Sequence, residues 1–206
     1  MARGTLITIE GLDGAGKSTL AQALFAEFSE RSLPVRLLRE PGGVDVSERI
    51  RTLVKDPSLS IAPRTEALLY AAARAQLVDE LLLPLLEQGA LVLLDRFVDS
   101  SLAYQGAARA LGIEQVRAIN QFATGPLAPD RTLLLNISPA VGRARQHERA
   151  DQPDRLEREG EQFFTTIAAA YQQLARQEPQ RIRVLDAAQP PAQLLAAALD
   201  ALADLL

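Results

Sequence analysis

The chain has 206 residues, a formal net charge of −4 and an apolar content of 48%, which suits one domain with its own core. It has no Cys and one His, so disulfides and Cys-based metal sites are excluded and a multi-His metal site is disfavoured. The negative charge argues against a dedicated nucleic-acid binder, and no apolar run suggests a membrane span. The N-terminal residues do not resemble a signal peptide. We therefore expect a cytoplasmic protein that forms a single domain over residues 1–206.

Strand-like and helix-like segments alternate along the chain. Short β-rich runs predict strands at 5–10, 35–39, 91–94, 131–137 and 181–185. Helical spacing or Leu/Ala-rich composition predicts helices at 17–31, 47–54, 63–88, 100–110, 113–124, 139–147, 157–177 and 192–206. Pro84 must kink the third of these helices or begin a new one. The alternation predicts right-handed crossovers, and hence an α/β fold with a five-stranded parallel sheet and helices on both faces.

A phosphate-binding loop is predicted between the first strand and the first helix. The segment matches G-x-x-x-x-G-K-[ST] and reads Gly11-Leu12-Asp13-Gly14-Ala15-Gly16-Lys17-Ser18, followed by Thr19. The glycines allow a tight turn whose N–H groups point at an anion, and the following helix adds its positive end. Lys17 can reach the β- and γ-phosphates of ATP, and Ser18 can ligate Mg²⁺. The sequence therefore predicts the P-loop NTPase fold with ATP bound along residues 11–19.

A second motif follows the apolar strand at 91–94. Asp95 stands at the carboxyl end of that strand, where ligands bind in open parallel sheets, so its carboxylate can lie near the metal or an acceptor phosphate. Arg96 adds a planar cation where two phosphates would have to meet. We predict Ser18 and Asp95 as metal ligands, and Lys17, Asp95 and Arg96 as catalytic residues. A surface Asp–Arg pair at a strand end is the alternative.

Residues 142–160 differ from the rest in composition. They hold few apolar side chains and several acids, together with Arg143, Arg145, Arg149, Arg155 and Arg158. Composition alone favours a solvated helix face. A short arginine-rich lid over the nucleotide site is the alternative.

Three segments together resemble the motif set of bacterial thymidylate kinases. They read EGLDGAGKST at 10–19, REPGG at 39–43 and DRFVDSSLAYQG at 95–106. Their order and spacing match as well, and with 64–76 and 154–164 the resemblance covers most of the chain. It implies an enzyme that transfers the γ-phosphoryl group of ATP to dTMP in dTTP biosynthesis, with Mg²⁺ as cofactor and a homodimeric assembly.

The resemblance also implies where dTMP binds. Tyr70 would stack on the thymine ring, and Arg74, one helical turn further on, would address the oxygen edge of the base. Ser101 and Gln105 would contact the base and sugar edges, and Tyr104 would crowd the sugar. Arg51 and Arg96 would hold the dTMP phosphate, and Glu40 would lie in the turn that faces the acceptor. Asp13 would lie near the 3′-hydroxyl or the water shell of the metal. A cis peptide bond before Pro41 is typical of the family. Taken alone, Tyr70 would be interpreted as a core aromatic.

Phosphoryl transfer usually needs one more cation near the transferring group, and residues 12–15 carry none. The arginine-rich stretch can supply it, so the lid becomes the preferred interpretation of residues 142–160. Arg155 best matches the lid arginine of the bacterial family and is predicted to be catalytic, with Arg149 as second choice. The resemblance also implies that Arg143 and Gln189 lie at the adenine of ATP.

Two other functions remain open on the sequence. Another nucleotide or deoxynucleoside kinase would share the P-loop and differ in the acceptor pocket. A non-catalytic ATP-binding P-loop module would need no acceptor pocket, which leaves Arg51, Tyr70 and Arg96 unexplained. The expected partners are ATP and dTMP, with neither a nucleic acid nor a membrane.

Overall fold

The computed structural model describes residues 3–147 and 153–206. One five-stranded parallel sheet has the order β2-β3-β1-β4-β5, so β1 lies at its centre. The strands are β1 (Thr5–Gly11), β2 (Val35–Arg39), β3 (Leu91–Asp95), β4 (Arg131–Asn136) and β5 (Ile182–Asp186). The predicted α/β fold with five parallel strands is confirmed.

Helices connect successive strands, and one more helix follows the last strand. They are α1 (Lys17–Glu30), α2 (Asp45–Lys55), α3 (Pro63–Leu77), α4 (Leu83–Glu87), α5 (Val98–Ser101), α6 (Ile113–Thr124), α7 (Pro139–His147), α8 (Glu161–Gln177) and α9 (Pro191–Leu202). Two π-helical stretches, Val78–Leu82 and Leu102–Ala108, follow α3 and α5. Within the described part of the chain, no helix has the length and apolar composition that a membrane crossing would need.

Strand β1 contributes to the hydrophobic core on both faces of the sheet. Ile7 and Ile9 pack with Leu24 and Phe28 of α1, on the face that α9 also covers. Leu6 points to the opposite face, against the helices that follow α3. Successive side chains of a strand alternate between faces, and a strand buried on both sides is therefore apolar at nearly every position.

The helix predicted over 63–88 differs from the expectation at Pro84. The backbone stays helical, but a π-helical turn separates α3 from α4, and Pro84 falls in the first turn of α4. A proline there has no intrahelical N–H bond to lose in the new hydrogen-bond register. Pro84 therefore begins a new helical segment, which was one of the two expected outcomes.

The helix predicted to begin at residue 157 begins instead at Glu161. Residues 155–158 form a turn, because the Asp154 carboxylate accepts hydrogen bonds from the N–H groups of Leu156 and Glu157. Helix α7 precedes this turn on the other side of residues 148–152. The segment predicted as a lid thus includes most of α7 and ends just before α8.

Candidate functional site

A cleft of about 300 Å³ opens beside the P-loop and the segments that follow β2 and β3. The carboxyl ends of neighbouring parallel strands meet there, so residues far apart in the chain come together. The predicted site residues that line the cleft are Asp13, Gly14, Gly16, Lys17, Ser18, Thr19, Glu40, Arg51, Tyr70, Arg74, Asp95, Arg96, Ser101, Tyr104 and Gln105.

The P-loop packs backbone against backbone with α7. Gly14 has φ of 80°, a left-handed conformation, and a Cβ there would lie 2.3 Å from the carbonyl oxygen of Gly142. A Cβ on Gly142 would in turn lie 2.8 Å from the carbonyl oxygen of Asp13. The first residue of the predicted lid is therefore seated on the P-loop, and glycine is required on both sides of this contact.

Lys17 is held inside the P-loop, with its side chain 7% exposed. Its ammonium donates a hydrogen bond to the carbonyl oxygen of Leu12 at 2.9 Å and lies 3.7 Å from Asp13 Oδ1. Burial, together with the positive charge of Arg96, lowers the pKa of Lys17 to about 8. An anionic phosphate would reverse this effect, because it would compensate the buried positive charge.

Ser18 and Asp95 meet at the mouth of the cleft. The Ser18 hydroxyl donates to Asp95 Oδ2 at 2.6 Å, which brings the start of α1 to the end of β3. A hydroxyl and a carboxylate are hard oxygen ligands of the kind that Mg²⁺ takes from a P-loop protein. In residues 3–147 and 153–206 there is no group of three or more His, Asp or Glu side chains that could hold a metal. The pair fits a magnesium ion that receives its other ligands from phosphates and water.

Arg96 lies at the centre of the cleft. Its backbone has φ of 73°, and its guanidinium pairs with Asp13 and stacks over the ring of Tyr104 at 5.1 Å. The Tyr104 hydroxyl donates to Asp13 Oδ2 at 3.0 Å. Burial would raise the pKa of Asp13, but the charges of Arg96 and Lys17 and the hydrogen bonds outweigh it and hold that pKa well below its usual range. Arg96 and Asp13 therefore form a partly buried ion pair between the P-loop and the adjoining pocket.

Glu10 holds the loop that carries Arg96. This buried carboxylate accepts hydrogen bonds from the N–H of Phe97 at 2.7 Å and from the hydroxyls of Ser100 and Tyr171 at 2.6 and 2.9 Å. Burial, together with the charge of Asp99, raises the pKa of Glu10. Tyr171 belongs to α8, so the Arg96 loop is tied both to β1 and to the helix that follows the predicted lid. Glu10 was not predicted as a site residue, because a single acid before a P-loop has no distinctive spacing.

Arg74 is 2% exposed at the floor of the pocket. Its Nε and Nη2 pair with Glu40 Oε2, and Nη2 also donates to the backbone carbonyl of Phe97. Its Nη1 donates to the Ser101 hydroxyl at 3.0 Å and to the side-chain oxygen of Asn120. All five N–H groups of the guanidinium thus face protein acceptors. Direct contact between Arg74 and a base oxygen would have to replace one of these bonds.

Glu40 is buried beside Arg74, at a turn whose Glu40–Pro41 peptide bond is cis, as the resemblance implied. Burial raises the pKa of Glu40 to about 7, against the opposing charge of Arg74. Its Oε1 has no hydrogen-bond partner among the described residues. Tyr70 lies nearby on α3 with its side chain partly buried, and burial raises the pKa of Tyr70. Tyr70 also lines the cleft, so it is not a fully buried core tyrosine.

Several predicted site residues lie away from the cleft lining. Arg155 donates from Nε to the carbonyl oxygen of Val54 at 2.9 Å, and its Nη2 lies 2.7 Å from Glu66 Oε2. Arg143 donates to the carbonyl oxygen of Glu159. The P-loop residues outside the lining are Gly11, Leu12 and Ala15, which are buried. Gln189 also lies outside the lining and is exposed after β5. Arg149 lies outside the described residues.

The cleft also contains residues that the sequence analysis did not assign. Lys55 at the end of α2 pairs with Asp154 at 2.8 Å, which links α2 to the turn before α8. Leu156 and Glu157 line the same side. For the residues after 153, the sequence signal was that 154–164 belong to the segments that carry the resemblance. Lys55 gave no signal, because a lysine at the end of a helix is common.

A P-loop after the central strand, opening into a separate pocket lined by arginines, defines a P-loop nucleotide-binding protein with room for a second anionic ligand. A family profile described as thymidylate kinase matches residues 9–197. The chain therefore belongs to the thymidylate kinase family.

Individual relatives agree with this assignment. Thymidylate kinases of Deinococcus radiodurans and Pseudomonas putida are 46% and 48% identical to the chain, over 94% and 89% of both sequences in each pair. The crystal structure of thymidylate kinase from Ehrlichia chaffeensis aligns with a TM-score of 0.80, over 98% of this chain and 99% of its own, at 24% identity. That likeness shows a shared fold.

Proposed function

We propose that this member of the family transfers the γ-phosphoryl group of ATP to dTMP, giving ADP and dTDP, in the cleft beside the P-loop. The observation that carries the proposal is that Lys17 of the P-loop and Tyr70 and Gln105 of the adjoining pocket line one continuous cavity. In-line transfer requires the phosphates of donor and acceptor to meet in a shared, enclosed space. The bond between the γ-phosphorus and the oxygen that bridges it to the β-phosphorus breaks, and that oxygen leaves with ADP. At the same time a phosphate oxygen of dTMP forms a bond to the γ-phosphorus.

The ATP side is formed by the P-loop. Its N–H groups and the start of α1 would bind the phosphates, and Lys17 would exchange its contact with the carbonyl of Leu12 for the β- and γ-phosphates. Ser18 and Asp95 would hold Mg²⁺, which when bound supplies positive charge against the phosphate oxygens. Arg145 of α7 donates to the carbonyl oxygen of Ala187 at 3.1 Å, so α7 and the loop after β5 are neighbours. We infer that Arg143 and Gln189 flank the adenine there.

The acceptor side is formed by α2, α3 and the segment after β3. Arg96 and Arg51 would bind the phosphate of dTMP, with Arg96 kept charged and oriented by Asp13. Tyr70 would stack on the base, and Tyr104 would pack against the sugar. Because the Ser101 hydroxyl accepts from Arg74, its own proton is free to donate to a base carbonyl. Arg74 and Glu40 would then act mainly through Ser101 and the pocket floor.

We infer that the additional cation near the transferring phosphoryl group comes from the lid at residues 142–160. For Arg155 to reach the transferring group, it must leave Glu66 and the carbonyl of Val54. Closure would also exclude water and so limit ATP hydrolysis.

The test is ADP formation by the purified protein from ATP and a panel of nucleoside monophosphates. We expect ADP formation that depends on dTMP and is lost in Lys17→Ala. ADP formation that is equally fast without dTMP would contradict the proposal, and ATP binding without ADP formation from any acceptor would favour the non-catalytic module. A higher kcat/KM for GMP, UMP or AMP would favour another nucleotide kinase.

We infer that the protein is a cytoplasmic homodimer. The resemblance to bacterial thymidylate kinases implies the assembly, and the adjacent helices α3 and α6 carry strongly exposed apolar side chains, Leu68 at 56% and Phe122 at 94%. Light scattering on the purified protein should give the mass of a dimer, and Phe122→Asp should shift it towards the monomer. A monomeric wild-type protein at micromolar concentration would contradict the inference.

A further inference from the structure

The carboxylate of Glu66 on α3 is fully buried and is shared by three side chains from other parts of the chain. Gln105 Nε2 donates to Oε1 at 2.8 Å. Arg109 donates from Nε to Oε1 at 3.3 Å and from Nη2 to Oε2 at 3.2 Å. Arg155 Nη2 lies 2.7 Å from Oε2. A buried carboxylate without partners is costly, and Gln105 and Arg109 still hold Glu66 when Arg155 leaves it.

The contact with Glu66 determines which end of the Gln105 amide faces the cleft. A carboxylate between two guanidinium groups only accepts hydrogen bonds, so the NH₂ of Gln105 must point towards Glu66. Gln105 lines the cleft, and its Oε1 has no hydrogen-bond partner among residues 3–147 and 153–206. The side-chain oxygen of Gln105 is therefore available in the pocket as a hydrogen-bond acceptor.

We propose that Glu66 is a positioning residue for substrate specificity: it holds Gln105 with its carbonyl oxygen towards the base and thereby selects pyrimidines that carry a proton on N3. This inference rests on the proposed base pocket around Gln105. Thymine and uracil have an N3–H that can donate to the amide oxygen. Cytosine has a lone pair on N3, which would face that oxygen without a proton between them.

Glu66→Gln should reverse this selection. The Oε2 position faces two guanidinium groups, at 3.2 Å from Arg109 Nη2 and 2.7 Å from Arg155 Nη2, whereas Oε1 faces only Arg109 Nε, at 3.3 Å. The carbonyl oxygen of a glutamine would therefore take the Oε2 place. Its NH₂ would then face Gln105, whose amide would turn to accept from it. The NH₂ of Gln105 would point into the cleft and donate to N3 of cytosine.

The experiment measures kcat/KM of wild type and Glu66→Gln for dTMP, dUMP and dCMP with ATP. The last two differ only at N3 and the exocyclic group on C4, whereas dTMP and dUMP differ only by a methyl group. We expect the dUMP/dCMP ratio to fall by about tenfold or more, and the dTMP/dUMP ratio to stay within about twofold. Ratios within one preparation do not depend on the fraction of folded enzyme, so loss of stability alone would leave both unchanged.

Two further variants complete the test. Glu178→Gln replaces a glutamate that also pairs with an arginine, Arg181, outside the cleft, and it should leave both ratios unchanged. Gln105→Met removes the amide, and it should lower the dUMP/dCMP ratio. If Gln105→Met leaves that ratio unchanged, the proposed base pocket is wrong. If Gln105→Met lowers it and Glu66→Gln does not, the pocket stands and the role of Glu66 is refuted.

Discussion

Replacing Lys17 by methionine should stabilise the folded protein while abolishing phosphoryl transfer. Methionine has nearly the length of lysine, is apolar and packs adaptably, so it imitates the neutral form of the side chain. The lysine ammonium is buried inside the P-loop near the positive charge of Arg96, and its partners only partly compensate. This is the arrangement expected of a residue placed for a phosphate rather than for packing.

The size of the effect follows from the pKa of Lys17. Burial and the nearby Arg96 lower this pKa from 10.5 to about 8 in the folded protein. A difference of about 2.5 between the two values, at about 1.4 kcal/mol per pKa unit, disfavours the charged folded form by about 3.5 kcal/mol at most. Because the folded pKa is the lower one, this cost is fully present below pH 8 and disappears as the pH rises through 10.5. By linkage it falls to about 1.4 kcal/mol at pH 9.5.

Urea unfolding of the two proteins without nucleotide measures this difference. At pH 7 we expect Lys17→Met to raise the free energy of unfolding by about 2 to 3 kcal/mol, and at pH 9.5 by about half as much. Lys55→Met is the control, because the Lys55 side chain is 39% exposed and paired with Asp154, so its replacement should give no comparable gain.

A Lys17→Met protein that is no more stable than wild type at pH 7 would contradict this account of the buried charge. A gain that stays constant between pH 7 and 9.5 would also refute it, because the stabilisation would then not come from the buried charge. ADP formation by Lys17→Met at more than about a hundredth of the wild-type rate would contradict the role of Lys17 at the phosphates.

Three other predictions concern the P-loop and the lid. The kcat/KM for ATP should fall about tenfold per pH unit above pH 8, as Lys17 loses its proton in the free enzyme, and a profile that stays flat to pH 10 would contradict this. Gly14→Ala and Gly16→Ala both put a side chain at positive φ, but only the Cβ at residue 14 would clash with Gly142. Calorimetry should therefore give a lower Tm for Gly14→Ala than for Gly16→Ala, and equal Tm values would argue against the contact between the P-loop and α7. Arg155→Ala should lower kcat by about 10²-fold or more, whereas a loss of stability with unchanged kcat would make Arg155 a partner of Glu66 only.

Contiguous motifs carried most of the site that could be predicted. The P-loop places its glycines, Lys17 and Ser18 within eight residues, and their mutual geometry follows from one turn between a strand and a helix. Asp95 and Arg96 follow directly from the end of a buried strand, so their position at the sheet edge was predictable too. The i, i+4 pair of Tyr70 and Arg74 gave the correct helix face, since both line the cleft.

The fold class, the phosphate loop and the ligand-binding edge of the sheet could thus be predicted from the sequence, because they depend on local spacing and on the period of apolar residues along the chain. Which charged groups contact each other became clear only from the folded structure. In the structure, Arg74 pairs with Glu40 and donates to Ser101, and Arg155 pairs with Glu66. These partners lie on separate elements, and a buried charge is stable only where packing brings an opposite charge or an acceptor within reach. The spacing of residues along the chain does not predict such contacts between separate elements.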